Sequence, residues 1–264
     1  MSLPLYLNLL TEVDHGVGIV TLTQPERHNA FDEVTIAELT HAVVTLEADP
    51  AVRVIVIGSL GKSFSAGADL NWMQRIAAQG PGENLRDARA LADMLRHVAQ
   101  CSKPVIARVQ GSAYGGGVGL IAACDIAIAT FDAQFALTEV KLGIIPATIA
   151  PHVIAAIGER HARRYMLTAE RFSAAEAYRI GLLHEIVADE AALDDAVGDL
   201  IESLRKNGPD AMAECKELIR AVAGRPLSVE LIEDTAQRIA RVRATPEAQE
   251  GMAAFMAKHK PNWV

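Results

Sequence analysis

Two periodicities of hydrophobic and polar positions alternate along the first two thirds of the chain. Short runs rich in β-branched residues predict strands, and longer segments with apolar residues at helical spacing predict helices. Asp32 has the residue type of a helix N-cap, and Ile36 and Leu39 begin the apolar stripe that follows it. This alternation favours an α/β core with parallel crossovers. The predicted strands are residues 7–13, 17–22, 52–57, 104–109, 125–129, 133–137 and 183–187.

The final third has a different pattern, which is helical from Ala191 to the end of the chain. Glycine and proline interrupt this pattern at residues 208–209, 224–226 and 245–246. Apolar positions on the last helices, among them Met252 and Phe255, need a surface that buries them. We therefore expect an α/β core over residues 1–200 and a helical region over residues 201–264 that packs against partner chains.

Composition and charge restrict the class of protein. The chain has 264 residues, of which 50% are hydrophobic and 22% are charged, as expected for a globular protein of one or two domains. A formal net charge of −8 argues against a nucleic-acid partner, because neutralising phosphates requires clustered Lys and Arg. No uncharged apolar run approaches the length of a membrane span, so we expect no membrane association.

The three cysteines, Cys101, Cys124 and Cys215, lie far apart in the sequence. Their number is odd, and their spacing matches neither a disulfide framework nor a set of metal ligands. Such a pattern is typical of free thiols in a reducing compartment. We therefore expect a cytoplasmic protein that has no bound metal.

A glycine-rich turn, residues 111–119, follows the predicted strand 104–109 and opens an apolar segment. Glycine permits positive φ angles and the close approach of a ligand to the backbone. A helix that begins at such a turn has unpaired N–H groups and a partial positive charge at its first turn. The turn is therefore a candidate site for an anion, or for an oxygen that becomes one during a reaction.

Two other uses of these glycines are tight packing of a helix against a strand and the binding of a dinucleotide. Residues 117–122 fit the fingerprint G-x-G-x-x-A, but residues 111–116 separate them from the strand end where that fingerprint should begin. A phosphate loop ending at residues 61–63 is excluded, because Val56 stands where that loop requires a glycine. An oxyanion-stabilising turn remains, and it needs a second N–H donor.

A second loop, residues 58–69, is rich in the small residues that can expose such a donor. It follows the predicted strand 52–57 and precedes a short helix for which Asp69 is the expected N-cap. Two convergent N–H groups from the two loops would stabilise the enolate of a thioester or ester. The acid–base group would then be Glu139, although its position alone also fits a carboxylate at the edge of a helix or strand.

Several segments with these features resemble the enoyl-CoA hydratase/isomerase (crotonase) family, and the resemblance extends over essentially the whole chain. It implies a spiral of ββα units, a C-terminal helical trimerisation region, and assembly as a homotrimer or a dimer of trimers. It also implies acyl-CoA thioester substrates and no separate cofactor, because coenzyme A is part of the substrate. The segments that carry it are residues 64–70, 111–119, 123–126, 139–146 and 169–182.

By this resemblance the backbone N–H groups of Ala66 and Gly116 form the oxyanion hole, and Glu139 is the catalytic acid–base group. The last helix corresponds to a family segment that often contacts CoA from a neighbouring subunit. There Lys258 is the candidate partner of a phosphate, and a surface lysine is the alternative. The residues expected to contact substrate or CoA are Arg27, His28, Ala66, Gly67, Ala68, Asp69, Leu70, Gly115, Gly116, Phe255 and Lys258.

The chain departs from the family pattern at one catalytic position. Family hydratases usually carry two catalytic glutamates; the second matches Glu139, and the first falls at Gly119, which has no carboxylate. We expect the missing side chain to leave space for a bulkier or charged acyl group. Other segments resemble a bacterial branch that hydrates methylglutaconyl-CoA and isohexenylglutaconyl-CoA.

Three functions follow from the resemblance. The first is hydration of a branched enoyl-CoA thioester similar to 3-methylglutaconyl-CoA. The second is a single-glutamate isomerase that shifts a 3,2 double bond, because that reaction needs one base to carry a proton between carbons. The third is a CoA-binding protein without catalytic activity.

Overall fold

The computed structural model describes residues 4–264, which form ten strands and ten α-helices. The helices are α1 (Glu33–Ala48), α2 (Leu70–Ala77), α3 (Pro81–Gln100), α4 (Gly116–Ala123), α5 (Ala150–Thr168), α6 (Ala174–Arg179), α7 (Glu190–Arg205), α8 (Pro209–Val222), α9 (Val229–Arg243) and α10 (Pro246–Ala257). The strands are β1 (Leu9–Asp14), β2 (Val17–Leu22), β3 (Val54–Ser59), β4 (Ser63–Ser65), β5 (Val105–Val109), β6 (Ser112–Tyr114), β7 (Ile126–Thr130), β8 (Gln134–Ala136), β9 (Phe172–Ser173) and β10 (Glu185–Val187).

The strands form two sheets. The first has six strands in the order β1-β2-β3-β5-β7-β10, and the second has four in the order β4-β6-β8-β9. β1 and β2 pair antiparallel, whereas β2, β3, β5, β7 and β10 run parallel. From β3 to β8 the chain repeats one pattern three times. A strand of the first sheet is followed by a strand of the second sheet and then by helix. This repetition is the predicted spiral of ββα units.

Two of these strands lie in segments predicted as loops. β4 falls within residues 58–68, and β6 falls within the glycine-rich turn. Each has three residues, too few to show an alternating hydrophobic pattern. Parallel pairing of Ser63 with Ser112, and of Ala113 with Phe135, stabilises them instead.

The predicted helix starts are confirmed where a side chain caps them. The Asp32 carboxylate accepts the Thr35 N–H at 2.9 Å, and the Asp69 carboxylate accepts the Trp72 N–H at 2.9 Å. Both residues are buried, so each cap also satisfies a carboxylate that would otherwise be costly to bury. The cap at Asp69 fixes the end of the loop that follows β4.

The first sheet packs on both faces. One face meets α1 and α3 in the main core, which contains Leu39 and Leu95. The other face meets α7 through Leu193 and Val197. The expected boundary at residue 200 therefore falls inside α7, a helix that packs against the sheet. The division of the chain into a core and an oligomerisation region remains a prediction.

The helices after α7 expose much apolar surface. Val229, Phe255 and Met256 are each more than three quarters exposed in the single chain. Lys216 on α8 is buried and donates to Asp125 at 2.5 Å, and Asp125 also accepts the Val105 N–H at 2.7 Å. Asp125 is thus structural, because it links α8 to the sheet. Within residues 4–264 no helix is both long and apolar enough to cross a membrane.

Candidate active site

Two turns meet where the second sheet passes into α2 and α4. Gly67 has φ +84°, and a Cβ on it would lie 2.7 Å from the Tyr114 carbonyl oxygen and 3.3 Å from the Gly116 nitrogen. Only glycine fits this approach, because backbone atoms cannot give way to a side chain. Tight packing, one of the alternatives left open by the sequence, is therefore part of the explanation for these glycines.

The hydrogen bonds of the first turn correct one predicted donor. The Ala66 N–H donates to the His28 carbonyl at 2.9 Å, so it is not free to bind a substrate oxygen. The Gly67 carbonyl accepts the Phe31 N–H, and the Asp69 N–H donates to the Phe31 carbonyl at 2.8 Å. Because neighbouring peptide groups in an extended segment point to opposite sides, the Ala68 N–H points away from Phe31.

The Ala68 N–H has no acceptor within the described part of the chain. Gly116 is the first residue of α4, and a helix leaves its first N–H groups without intrahelical partners. Ala68 and Gly116, rather than Ala66 and Gly116, are therefore the pair of free donors. The sequence alone could not separate Ala66 from Ala68, because both are small residues in the same loop.

A cavity of about 400 Å³ opens beside these two N–H groups. Its walls come from three parts of the chain: the two turns, the helices α2 and α3, and residues 138–149. Most side chains in the helical wall are apolar. Of the predicted catalytic and substrate-binding residues, those that line the cavity are Ala66, Gly67, Ala68, Leu70, Gly115, Gly116 and Glu139.

Glu139 begins a 3-10 helix, Glu139–Leu142, shortly after β8 and lines the cavity. Its Oε2 atom is buried and has no hydrogen-bond partner among the described residues. Removal from water raises the pKa of this carboxyl group above that of an ordinary glutamate. A pKa shifted towards neutrality suits a group that takes up and releases a proton.

The approach of Glu139 to the second turn depends on Gly115. This residue has φ +47°, and a Cβ on it would lie 2.9 Å from the Glu139 Oε1 atom. A side chain at position 115 would displace the carboxylate. The glycine-rich turn thus does two things: it frees the Gly116 N–H and it admits the Glu139 carboxylate beside it.

The space expected at Gly119 is absent. A Cβ on Gly119 would lie 2.2 Å from Cγ2 and 2.6 Å from Cβ of Ile149. Gly119 is buried within α4 and does not line the cavity, whereas Ile149 does. The expectation that Gly119 leaves room for an acyl group is wrong, because the Ile149 side chain fills that room. No local sequence signal links these two residues, which lie on different elements.

Arg27 and His28 also lie outside the cavity wall. The Arg27 guanidinium donates to Asp32 at 3.1 Å and pairs with Asp69 at 2.8 Å, so it joins the two capping carboxylates. This ion pair holds the pKa of Asp69 below its ordinary value. His28 has φ +52°, and its Nδ1 atom lies 3.1 Å from the Ser63 hydroxyl. In the single chain these residues hold the loops in place.

Phe255 and Lys258 stand apart from the site. Phe255 on α10 is 86% exposed, and Lys258 ends that helix in the left-handed conformation. Neither residue lines the cavity. Their contribution to CoA binding requires a second copy of the chain and remains a prediction.

Two free N–H groups beside a desolvated carboxylate can stabilise an enolate and move a proton. A site of this kind on repeated ββα units is typical of an enzyme of the crotonase class. The chain belongs to the enoyl-CoA hydratase/isomerase family, whose model matches residues 12–264.

Solved structures and curated relatives agree with this assignment. An enoyl-CoA hydratase from Shewanella pealeana is 42% identical with a TM-score of 0.94, and the match covers 97% of this chain and 96% of that one. A crotonyl-CoA hydratase from Syntrophomonas wolfei is 33% identical, with 98% of each chain covered. A mevalonyl-coenzyme A hydratase from Aspergillus fumigatus is 33% identical, with 93% of this chain and 90% of that protein covered.

Proposed function

We propose that the protein adds water across the 2,3 double bond of an enoyl-CoA thioester. The observation that carries this proposal is the buried Glu139 Oε2 atom, which has no hydrogen-bond partner among the described residues and lies in the cavity lined by Ala68 and Gly116. The thioester oxygen accepts both N–H groups, which stabilise the negative charge that develops on it. Each such donor typically contributes a factor of about 10²–10³ to kcat.

One carboxylate is sufficient for the proton balance of this reaction. Glu139 takes a proton from water as the oxygen adds to C3, and the electron pair of the double bond moves into the thioester to form the enolate. The protonated Glu139 then gives that proton to C2 as the enolate collapses. The raised pKa of Glu139 favours the first transfer, because it makes the carboxylate a better base for the proton of water.

A specific observation also favours the isomerase alternative. Ile149 places an apolar side chain where a second carboxylate would stand, so Glu139 has no partner carboxylate at that position. Moving a double bond from C3 to C2 needs one base that removes a proton from C2 and returns it to C4. The two reactions share the oxyanion donors and differ in whether water enters the product.

The acyl chain belongs to the same proposal. Apolar side chains such as Met73, Ile76 and Leu91 suit a branched hydrocarbon. The 3-methylglutaconyl chain expected from the sequence adds a distal carboxylate, and among the described lining residues none is Lys, Arg or His. We therefore propose a branched acyl chain without a charged end, and the 3-methylglutaconyl chain is the alternative.

The assembly and the compartment complete the proposal. The exposed apolar residues of α9 and α10 support a trimer or a dimer of trimers, in which Phe255 and Lys258 reach the CoA of a neighbouring subunit. The three cysteines are free thiols in the described chain, which supports a reducing, cytoplasmic location.

Product mass after reaction with crotonyl-CoA, 3-methylcrotonyl-CoA and a 3-enoyl-CoA tests the proposal. We expect the 2-enoyl thioesters to lose their enoyl absorbance and gain the mass of one water. Conversion of the 3-enoyl-CoA without a mass change, and without hydration of either 2-enoyl-CoA, would establish the isomerase instead. Binding of all three without turnover would leave a CoA-binding protein.

A further inference from the structure

The helical wall of the cavity contains polar groups that the proposed reaction does not use. Trp72 on α2 and Asp87 on α3 both line the cavity, and so does Asn84. Trp72 is 5% exposed, and its indole nitrogen is buried without a hydrogen-bond partner among the described residues. An unpaired buried donor is costly, so its presence in a cavity wall points to a ligand that pairs with it.

Asp87 supplies an acceptor beside this donor. Its carboxylate is partly buried and forms no ion pair within residues 4–264, and it lies close to the Trp72 N–H without the geometry of a hydrogen bond. Burial raises the pKa of Asp87, and the nearby Trp72 N–H lowers it by a smaller amount. Donor and acceptor are thus neighbours that do not satisfy each other.

Asn84 adds a second acceptor to this part of the wall. Its amide nitrogen donates to the carbonyl groups of Gln79 at 3.0 Å and Gly80 at 3.1 Å. These bonds use the two amide hydrogens and leave the side-chain carbonyl oxygen. The three polar side chains therefore offer one N–H donor and two acceptors.

Asp87 and Glu139 belong to different parts of the cavity wall. The Glu139 carboxylate lies beside Gly115 at the start of the 3-10 helix, whereas Trp72 and Asp87 lie on α2 and α3. A substrate whose thioester lies beside Gly116 and Glu139 would bring another part of its acyl chain to α2 and α3.

We propose that Trp72 and Asp87 bind the end of the acyl chain and select a neutral hydroxyl group there. One hydroxyl accepts from the Trp72 N–H and donates to the Asp87 carboxylate, which satisfies both groups at once. A methyl group at the same position leaves them unpaired, and a carboxylate is repelled by Asp87. This inference rests on the proposed acyl-CoA site and adds the substrate class that the site prefers.

Three series of saturated acyl-CoA thioesters test this selection by calorimetry, with chains of different length that end in methyl, hydroxymethyl or carboxylate. Sites that hydrogen-bond a substrate hydroxyl discriminate strongly against analogues without it. We expect the best hydroxyl-ended chain to bind at least about tenfold more tightly than its methyl and carboxylate counterparts. Equal binding of the three ends at every length would overturn the inference.

Variants separate the two polar groups. Asp87→Asn should bind carboxylate-ended chains more tightly than the wild type, because it removes the repulsion and keeps an acceptor for the hydroxyl. Trp72→Phe should weaken binding of the hydroxyl-ended chain and leave the methyl-ended chain unchanged. Asp93→Asn is the matched control, because Asp93 lies on the same helix, is exposed and pairs with Arg96. Unchanged ratios in both cavity variants would contradict the assignment.

This experiment is independent of turnover, so the two proposals fail separately. Hydration of crotonyl-CoA, whose short chain carries no polar end, reports the reaction alone. If crotonyl-CoA is hydrated and the chain ends are not distinguished, the proposed function stands and the hydroxyl selection is wrong. If the chain ends are distinguished and no enoyl-CoA is hydrated, the hydroxyl selection stands and the proposed reaction is wrong.

Discussion

At residue 149, isoleucine occupies the position that any side chain on Gly119 would need. The contact of 2.2 Å between a Gly119 Cβ and the Ile149 Cγ2 atom is far below an ordinary van der Waals distance. Gly119 and Ile149 are therefore complementary in volume, because the small residue on α4 leaves room for the Ile149 side chain in the cavity wall. The pair leaves no room for a carboxylate at position 119, and Glu139 is the carboxylate beside Gly115.

Restoring a glutamate at position 119 tests this pairing. Gly119→Glu should lower the free energy of unfolding by about 1–3 kcal/mol, because overpacking forces the neighbouring atoms apart. The double variant with Ile149→Gly should recover stability and hydrate crotonyl-CoA faster than Ile149→Gly alone. Chemical denaturation and initial rates measure the two effects.

Gly198→Glu is the matched control, since Gly198 lies in α7 and a Cβ there meets nothing within 4 Å. A Gly119→Glu protein as stable as the Gly198→Glu protein would show that Ile149 does not block position 119.

The sequence identifies Gly119 as the departure from the family pattern, and the structure explains why no space results. A pattern along the chain reports which side chain is missing but not which neighbour replaces it. For the same reason the sequence pattern did not identify Ile149 or Asp87 as residues of the site, because each contributes through contacts with residues distant in the chain. Glu139 was a candidate from the sequence because its segment resembles the family, and the structure places its buried Oε2 atom in the cavity without a hydrogen-bond partner among the described residues.

At the scale of elements, two short strands decide which backbone groups are free. β4 and β6 pair in parallel and bring the turns after them together. The bridge between Phe31 and Ala68 then turns the Ala68 N–H away from its neighbours. The sequence predicts both turns from their glycines, but it cannot assign individual N–H groups, because these depend on pairing between separate segments.

Replacing single N–H groups with an ester oxygen tests the assignment of Ala68. Lactic acid at position 68 should lower kcat by about 10²–10³-fold and leave thermal stability close to that of the wild type. Lactic acid at position 66 should lower stability, because it removes the hydrogen bond from Ala66 to His28. A large loss of kcat at position 66 and none at position 68 would return the oxyanion role to Ala66.

At the scale of the whole molecule, the C-terminal helices expose apolar residues that a monomer would leave in water. Phe255, Met256 and Val229 are the most exposed examples on α9 and α10. The helical pattern of this region was predictable from sequence. The surface that would cover these residues was not, because no contact within the single chain buries them.

We expect light scattering at micromolar concentration to give the mass of a trimer or of two trimers. Replacing both Phe255 and Met256 with serine should reduce that mass without unfolding the chain, because both side chains are exposed within one copy. Replacing the exposed Leu60 with serine, at a loop distant from these helices in sequence, is the control. A monomeric wild-type protein would contradict the expected assembly.

A related prediction concerns Lys258, which ends α10 and lies outside the cavity of its own chain. Lys258→Ala should raise KM for enoyl-CoA and leave KM unchanged for a truncated thioester that lacks the nucleotide. Lys260→Ala is the control near the same end of the chain. Equal effects of Lys258→Ala on both substrates would remove this lysine from the CoA site.

The central claim is that Glu139 alone moves the proton during hydration. Its measurement is the pH dependence of kcat/KM for crotonyl-CoA in the wild type and in Glu139→Gln. The carboxylate must be deprotonated to accept a proton from water, so wild-type activity should fall as pH falls through the raised pKa of Glu139. Glu139→Gln should show no such limb and a loss of about 10²–10⁴-fold.

Thermal unfolding separates this loss from misfolding. A buried carboxyl group whose pKa is raised favours the folded state below its unfolded pKa, and this contribution is lost as pH rises through the folded value. At neutral pH the glutamine avoids the cost of a buried charge, so Glu139→Gln should be at least as stable as the wild type. A folded Glu139→Gln enzyme with near-wild-type kcat/KM, or with the same acid limb, would contradict the account.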